Sequence, residues 1–377
     1  MFSRRADWSA PVNRLTLARE ERAQRGLETL DLTLSNPTRA GIDYPFGDLA
    51  DALSHATRAP YDPQPLGIRS AREAVAREHG ADPDDVVITA STSEAYAFLF
   101  KLLTDPGDEL LTAVPSYPLL DHLAQLEQVR LVAFPLELHA RWEITRGAVA
   151  SAITPRVRAI IAVSPNNPTG SYVRESELAI LSAHGLPLIV DEVFRDYPIA
   201  ARDIPRGFAR SDETLTFSLG GLSKSAGLPH LKLGWIIVSG PTEDQRKAIA
   251  ALELIADNFL SVATPVQEAL PDILRIAKGI QASILQRIRR NHEELSVASN
   301  RKASCSLLPV EGGWSAVLRV PRTRTDEETA LLLLSRGVLV QPGYFFDFEQ
   351  EGHLVVSLLT PPEHFDAGIA RIMDEMP

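Results

Sequence analysis

Between residues 68 and 190, short apolar runs alternate with longer stretches that have helical periodicity. The strand-like runs are 86–89, 109–114, 130–134, 157–163 and 186–190, and the helical stretches are 68–79, 92–104, 117–128 and 174–184. The strand-like runs are apolar throughout rather than alternating, which is typical of strands covered by helices on both faces. The pattern predicts an α/β fold with a large doubly wound domain and a mainly parallel sheet.

The two ends of the chain follow a different pattern. Residues 12–25 predict an amphipathic helix, and residues 31–67, rich in Pro, Gly and Tyr, predict an ordered loop. After residue 240 the pattern is helical to about 297; strands near 304–308, 314–320, 338–341 and 353–358 and helices at 325–336 and 362–374 then predict a smaller α+β domain. We expect a large domain at residues 46–270 and a small domain formed by 1–45 and 271–377, bridged by the helical stretch after 264.

Composition limits the class of protein. The 377 residues are 45% hydrophobic and carry a formal net charge of −11, which argues against nucleic acid and anionic membranes as partners. One cysteine, Cys305, allows neither an internal disulfide nor a cysteine metal cluster, so no metal site is expected. The N-terminus lacks the apolar stretch of an export signal, and no apolar run approaches the roughly 20 residues of a membrane span. These features predict a cytoplasmic protein.

Residues that follow the predicted strands are candidates for a ligand site, because open parallel sheets bind ligands beyond the carboxyl ends of their strands. Ser91 to Glu94 fits a capping box, Ser-x-x-Glu, which is a structural explanation for this segment. The same helix start, with Thr92 and Ser93, can bind phosphate through its free amides and hydroxyls. Tyr117 follows the next strand; it is either a core residue or an aromatic that stacks on a flat ring.

Two further strands end in polar residues. The turn from Ser164 to Gly170 contains two prolines and offers the amides of Asn166 and Asn167. Asp191 follows 186–190, where a carboxylate needs a partner because burial without one is costly. It is either an ion pair or helix cap, or a carboxylate facing a pyridinium nitrogen.

Lys224 carries the strongest chemical signal. The chain has only six lysines, and two of them, Lys224 and Lys232, lie between the strand-like runs 214–218 and 233–238. A neutral lysine amine can form a Schiff base, whereas an arginine is never neutral in a protein. Taken alone, Lys224 could equally be a solvated loop cation. A phosphate cradle, a stacking aromatic, an amide donor, a buried carboxylate and a lysine together predict pyridoxal phosphate, a phosphorylated, protonated pyridine aldehyde.

These motifs resemble those of the class I/II aminotransferases of the fold type I pyridoxal-phosphate superfamily. The resemblance extends from Leu34 to Gly343 and is carried mainly by Asn-Asn-Pro-Thr-Gly, Asp-Glu-Val and Leu-Ser-Lys. It implies the following cofactor-binding residues: the aldimine lysine and proton shuttle Lys224, the pyridinium partner Asp191, the phenolic-oxygen donor Asn167, the stacking Tyr117, the phosphate-binding Thr92 and Ser93, and Tyr61, which would reach the partner subunit's phosphate. The site would therefore need a homodimer.

The sequence departs from the family at several positions. Phe194 stands where most members have tyrosine, so we expect a less depressed aldimine pKa than in those members. Gly221 stands where serine often binds phosphate, and Ser223 would compensate. Lys232 replaces the usual phosphate-binding arginine, as in some kynurenine and glutamine transaminases, and keeps the charge without the bidentate fork.

The largest departure concerns the substrate. Val355 occupies the position of the arginine that normally holds the substrate α-carboxylate, so a plain α-amino acid lacks its usual anchor. Either another cation substitutes or the substrate is unusual. Arg39, in Asn36-Pro-Thr-Arg39, is the candidate replacement, although a surface charge is the more ordinary reading of this residue. We expect Asn36, Arg39 and Asn167 to contact the substrate.

The resemblance implies a transaminase that moves an amino group between an amino acid or amine and an oxo acid. An alternative keeps the cofactor and changes the reaction to β-elimination, decarboxylation or oxidation of an amino acid. A non-catalytic binding or regulatory protein on the same scaffold is a third reading, which the intact lysine and carboxylate disfavour.

Overall fold

The computed structural model describes residues 12–200, 204–209 and 213–377, together with Ser3 and Arg5. The strands are β1 (Leu30–Asp31), β2 (Val86–Thr89), β3 (Glu109–Val114), β4 (Arg130–Pro135), β5 (Glu137–Leu138), β6 (Trp142–Glu143), β7 (Val157–Val163), β8 (Leu188–Asp191), β9 (Thr216–Gly221), β10 (Gly234–Ser239), β11 (Ser306–Leu307), β12 (Ser315–Arg319), β13 (Val338–Leu339), β14 (Gln341–Pro342) and β15 (His353–Ser357). The helices are α1 (Arg14–Gln24), α2 (Phe46–Ala56), α3 (Arg69–His79), α4 (Thr92–Leu103), α5 (Leu119–Leu126), α6 (Arg146–Ala152), α7 (Glu175–Ser182), α8 (Leu222–Ser225), α9 (Thr242–Asp257), α10 (Thr264–Glu268), α11 (Leu270–Asn300), α12 (Asp326–Ser335) and α13 (Pro362–Glu375).

A seven-stranded sheet with the order β2-β10-β9-β8-β7-β3-β4 organises the larger part of the fold. Only β10 runs antiparallel to its neighbours β2 and β9, so the prediction of a doubly wound, mainly parallel sheet is confirmed. Strands β8 and β9 are buried along their whole length. Of the two edge strands, β2 is buried throughout, whereas half of the residues of β4 are exposed.

Both faces of this sheet are covered by helices. Alternate residues of β10 point in opposite directions: Ile236 packs in one core cluster with α4 and α9, and Ile237 packs in another with α3 and α11. A third cluster places Ile160 of β7 and Val190 of β8 beside Val149 of α6. The central strands are therefore fixed from both sides, and their ends can present polar groups in defined positions.

A second, antiparallel sheet has the order β11-β12-β15-β14. Strands β11, β12 and β15 fall within three of the predicted stretches, and β14 begins at the last residue of the stretch 338–341. Helix α11 spans 31 residues and contacts α2 and α3 near the seven-stranded sheet as well as α13 and β11. The division into two domains near residue 270 stays a prediction.

One local prediction is wrong. Residues 31–67 were expected to be loop, yet α2 spans Phe46–Ala56. Its buried residues Leu49, Ala52 and Ala56 follow helical spacing, but the helix starts after Pro45 without a side-chain cap, which removes the usual start signal. Within the described residues, no helix is both long and apolar enough to cross a membrane.

Candidate active site

One edge of the seven-stranded sheet collects the polar segments found in the sequence. Val163, Asp191 and Leu219 lie side by side in the register of β7, β8 and β9, so these strands end together. Strand β10 runs the opposite way and begins at this same edge, where Gly234 pairs with Gly221. The residues that follow β7, β8 and β9 and precede β10 therefore meet in space.

A cavity of about 330 Å³ opens at this edge, between the seven-stranded sheet and the second sheet. Eight of the predicted site residues line it: Thr92, Ser93, Tyr117, Asn167, Asp191, Ser223, Lys224 and Lys232. The second sheet and the N-terminal segment contribute further lining residues, among them Ser35, Trp314, Ser315, Gln341 and Ser357. Residues distant in sequence thus form one pocket.

Lys224 is held on the one-turn helix α8. The Ser225 hydroxyl donates to Gly221 O at 2.8 Å, and the buried Tyr197 hydroxyl lies 2.8 Å from Lys224 O, so the backbone of this turn is fixed from two sides. Lys224 Nζ donates to Ser35 O at 3.3 Å and lies 5.3 Å from the centroid of the Trp314 ring. Burial lowers the pKa of Lys224, which favours the neutral, nucleophilic amine, while the nearby Asp191 charge opposes this shift.

Asp191 is the buried anion of the cavity. Its Oδ1 accepts from the Val193 amide at 3.0 Å, and its Oδ2 accepts from the Tyr96 hydroxyl at 3.1 Å. Burial raises the pKa of Asp191 to about 6; the two hydrogen bonds and the Lys224 charge oppose the increase. No described cation forms a salt bridge with this carboxylate, so it is available to a cationic group in the cavity.

The two asparagines of the Ser164–Gly170 turn have different environments. Asn166 is buried, and its Nδ2 donates to Pro115 O at 3.0 Å and to Thr169 Oγ1 at 2.9 Å, so it holds the turn together. Asn167 lines the cavity, and its Oδ1 accepts from the Ser315 hydroxyl at 3.2 Å. That bond leaves the Asn167 amide hydrogens for a ligand.

Two elements provide groups for an anion. Helix α4 begins with Thr92 and Ser93 in the cavity wall, and the Ser91 hydroxyl accepts from the Glu94 amide at 3.2 Å, so the capping interaction and the cavity coexist. Lys232 adopts a left-handed backbone with φ 49°, a conformation that favours glycine. Lys232 lines the cavity, and no described carboxylate forms a salt bridge with it.

Three predicted residues are not brought to the cavity. Tyr61 is 73% exposed and lies beside a separate small cleft with Ser261 and Thr264. Asn36 accepts from the Thr38 amide at 3.1 Å and caps a short turn, on which Arg39 is exposed. The roles assigned to Tyr61, Asn36 and Arg39 stay predictions.

Val355 is fully buried in β15, between Val317 of β12 and Gln341 of β14. Among the described residues that line the cavity, the charged ones are Asp191, Lys224 and Lys232. No arginine of the described residues lines the cavity.

Sequence reasoning missed several wall residues. Tyr96 follows Thr92 by four positions on α4, so helical spacing could have placed both on one face. Trp314 follows two glycines and contacts Phe194 edge-on, with ring centroids 5.3 Å apart. Ser315 and Gln341 carry no local signal, because their position depends on the packing of the second sheet.

Solved structures show the same fold. The structure of an alanine aminotransferase from Pyrococcus furiosus superposes with a TM-score of 0.88 at 23% identity and 99% coverage of both chains. An aspartate aminotransferase mutant of Thermus thermophilus gives a TM-score of 0.86 at 24% identity, again with 99% coverage of both chains. The chain therefore has the fold of the fold type I aminotransferases.

Sequence relatives agree with the fold. A glutamate–pyruvate aminotransferase of Haemophilus influenzae is 28% identical over 289 residues, covering 74% of this chain and 71% of the relative. A valine–pyruvate aminotransferase of Mycobacterium tuberculosis is 28% identical over 381 residues, covering 96% and 94%. The family model described as aminotransferase class I and II matches residues 30–372. The chain belongs to the class I and II aminotransferase family and is an aminotransferase.

Proposed function

We propose that this aminotransferase holds pyridoxal phosphate at Lys224 and moves an amino group between an amine or amino acid and an oxo acid. The observation that carries the proposal is the placement of Lys224 and Asp191 in one cavity. Burial favours the neutral amine of Lys224, and Asp191 has no ion-pair partner among the described residues.

The residues present fit this cofactor. Asp191 would pair with the protonated ring nitrogen, Asn167 would donate to the phenolic oxygen, and Tyr117, 46% exposed at the rim, would stack on the ring. The start of α4 at Thr92 and Ser93, together with Ser223 and Lys232, would hold the phosphate. When bound, the cofactor supplies an electron sink for the charge left by a departing Cα proton.

The chain's own residues perform the remaining steps. Lys224 Nζ would take the proton from the substrate Cα and hold it for return, because burial favours a neutral amine that can act as a general base. Asp191 holds its ring partner protonated because an opposite charge favours the ionised form of both groups. Phe194 and Trp314 lie on one side of the amine, with ring centroids 5.9 and 5.3 Å from Nζ, and so give it an apolar surrounding on that side.

We further propose a homodimer in which Tyr61 reaches the partner subunit's phosphate site. The exposure of Tyr61 supports this assignment. The side chain is 73% exposed in the monomer and has no binding role in the cavity of its own subunit, so it is available to a partner subunit. Leu260 is also exposed and lies beside Tyr61 in the same cleft, which gives this surface an apolar component. The acidic chain and single cysteine support a cytoplasmic location.

The decisive experiment is reduction of the holoprotein with borohydride, followed by peptide mapping. A pyridoxyl adduct is expected on the peptide containing Lys224, and Lys224→Ala should lose the adduct, the yellow absorbance and turnover of an amine with an oxo acid. Lys247→Ala is the matched control, since Lys247 is exposed and pairs only with Glu243 on α9. An unmodified Lys224 peptide would overturn the assignment.

The missing anchor at Val355 keeps one alternative open: β-elimination, decarboxylation or oxidation of an amino acid on the same cofactor. These reactions need no oxo-acid acceptor. Release of ammonia or carbon dioxide in the absence of any acceptor would favour them over transamination.

A further inference from the structure

One wall of the cavity is built from a single face of the second sheet. Val355 of β15 pairs in register with Val317 of β12 and with Gln341 of β14, and Ser357 follows Val355 by two positions. Residues paired in register, and residues two apart on one strand, point to the same face of a sheet. These four side chains therefore share one face.

That face is directed towards the seven-stranded sheet. Val355 packs in the core cluster that contains Val190 of β8, whereas the adjacent Leu354 and Val356 pack in the cluster of helix α11. Gln341 lies on the face of Val355, lines the cavity between the two sheets and is partly exposed. The register of the strands and the lining of the cavity thus agree that the Gln341 side chain is directed into the cavity.

The side-chain amide of Gln341 is a free hydrogen-bonding group in this wall. The Ser315 hydroxyl donates to Asn167 Oδ1 at 3.2 Å. The Ser357 hydroxyl donates to Leu34 O at 2.5 Å, so the hydrogens of both hydroxyls are engaged. None of the described residues forms a hydrogen bond with the Gln341 side chain, whose amide offers two hydrogens and an acceptor oxygen. On strands β12, β14 and β15, Gln341 is therefore the lining side chain that can donate to a ligand.

Gln341 also lies next to the position of the missing arginine. The Cα atoms of residues opposite each other in an antiparallel pair are about 4.5–5.5 Å apart, so Gln341 is the direct neighbour of Val355 across β14 and β15. The charged lining residues have other roles in the proposed function: Asp191 and Lys224 serve the cofactor's ring and linkage, and Lys232 serves its phosphate. A substrate group on this side of the cavity meets an amide in place of a cation.

We propose that Gln341 binds the substrate where an arginine holds the α-carboxylate in other family members. Its Nε2 donates a hydrogen bond to an oxygen on the carbon next to Cα. A carboxylate oxygen and a hydroxyl oxygen can both accept this bond, so the recognised feature is the accepting oxygen. The inference rests on the Lys224–cofactor linkage proposed above, because the substrate amine replaces Lys224 there.

Three amines with one carbon skeleton measure this contact on the holoprotein. 2-Methylalanine, 2-amino-2-methylpropan-1-ol and 2-methylpropan-2-amine differ only in carrying a carboxylate, a hydroxymethyl group or a methyl group on Cα. None has a hydrogen on Cα, so transfer of a Cα proton cannot follow binding. Their dissociation constants, from titration calorimetry, should favour at least one oxygen-bearing amine over 2-methylpropan-2-amine by about fivefold or more, the effect of one hydrogen bond. A wild-type protein that binds neither oxygen-bearing amine more tightly would overturn the inference.

Gln341→Leu removes the amide and keeps a side chain of similar size. It should weaken binding of the preferred oxygen-bearing amine by about fivefold or more and change the affinity for 2-methylpropan-2-amine by less than about twofold. Unchanged affinity for this last amine also shows that the variant folds and holds the cofactor. Gln24→Leu is the matched control, because Gln24 is exposed at the end of α1 and does not line the cavity. If Gln341→Leu has no effect, or weakens all three amines equally, Gln341 does not bind the substrate oxygen.

Gln341→Glu identifies which oxygen is bound. The carboxylate has the shape of the amide, but when ionised it donates no hydrogen bond and repels an anion. If the bound group is a carboxylate, 2-methylalanine should lose more affinity in Gln341→Glu than in Gln341→Leu. If the bound group is a hydroxyl, 2-amino-2-methylpropan-1-ol should lose less in Gln341→Glu, because the hydroxyl can donate to the new carboxylate. The reverse order for the amine that the wild type prefers would contradict direct contact.

The outcomes separate this inference from the function on which it rests. If borohydride labels Lys224 and Gln341→Leu changes no affinity, the cofactor assignment stands and the role of Gln341 fails. If Lys224 stays unlabelled, the cofactor assignment fails first, and the contact proposed for Gln341 fails with it.

Discussion

The Tyr96 hydroxyl donates a hydrogen bond to Asp191 Oδ2 at 3.1 Å, and this contact opposes the effect of burial on the Asp191 pKa. Tyr96→Phe removes a bond to the charged form and should raise the pKa of Asp191 further above its ordinary value. Less carboxylate is then ionised near neutral pH, so we expect cofactor affinity at pH 7 to fall about tenfold. As pH is lowered, the loss of cofactor affinity should therefore begin at a higher pH in Tyr96→Phe than in the wild type.

Equilibrium titration of the apoprotein with the cofactor across pH 5–9 measures both effects. Tyr344→Phe is the control, because Tyr344 is 41% exposed and does not line the cavity. An affinity profile unchanged in Tyr96→Phe would show that the hydroxyl does not act on Asp191.

Asp191 is expected to destabilise the apoprotein at neutral pH. The pKa of Asp191 is raised from 3.8 to about 6 in the folded chain. The carboxyl's contribution to the free energy of unfolding is therefore most favourable below pH about 4, and this favourable part is lost as pH rises through about 6. Asp191→Asn does not titrate; it should therefore be as stable as wild type at pH 4 and more stable at pH 8, by on the order of 2–3 kcal/mol.

Urea unfolding of the two apoproteins at pH 4, 6 and 8 gives this difference directly. Asp257→Asn, at an exposed position at the end of α9, should show no comparable pH-dependent gain. A constant difference between wild type and Asp191→Asn at all three pH values would contradict the raised pKa.

Phe194 lines the cavity edge-on to Trp314, in the place where most family members have tyrosine. Phe194→Tyr adds a hydroxyl that can donate to the cofactor's phenolic oxygen. Stabilising the deprotonated oxygen should lower the pKa of the cofactor–Lys224 linkage by about one unit, the equivalent of one hydrogen bond of about 1.4 kcal/mol.

A spectrophotometric pH titration of the holoprotein measures that pKa. Phe194→Leu separates the hydroxyl from the ring, since it removes the aromatic group and adds no donor. The assignment of Phe194 fails if Phe194→Tyr and Phe194→Leu shift the pKa equally.

The homodimer can be tested with mixed subunits. If Tyr61 serves the neighbouring site, a dimer of one Lys224→Ala chain and one Tyr61→Phe chain contains one doubly altered site and one intact site. Reassociated mixtures should therefore recover activity above the mean of the two parent proteins. Arg58→Ala, at a position near Tyr61 in sequence, serves as the control for surface changes in this segment. Recovery no greater than the mean would place Tyr61 outside the site of the partner.

The predictable parts of the fold are those determined by local pattern. Strands β2, β3 and β7 were predicted with the bounds they have, since buried parallel strands are continuous apolar runs between clear turns. Helix α2 was missed because its sequence lacks a cap residue. The antiparallel direction of β10 had no local signal either, because strand direction is decided by how the chain returns to the sheet.

The residues of the candidate site also fall into two groups, those with a local sequence signal and those placed by tertiary packing. Asn167, Asp191 and Lys224 follow strands and are recognisable from the chain alone, and the structure places all three at one cavity. Ser315, which orients Asn167, begins β12 of the second sheet, and Trp314 immediately precedes that strand. Their contribution is a property of tertiary packing and could not be derived from spacing in the sequence.

The pairing of Gly221 with Gly234 fixes the length of the connection that carries both amines. The chain leaves β9 and enters β10 at directly opposed positions, so an inserted or deleted residue between them would shift Lys224 and Lys232 relative to each other. The turn between β5 and β6 contains no residue that lines the cavity, so it is under no such limit. In related sequences, insertions and deletions should therefore occur in the turn between β5 and β6 and be absent between residues 222 and 233.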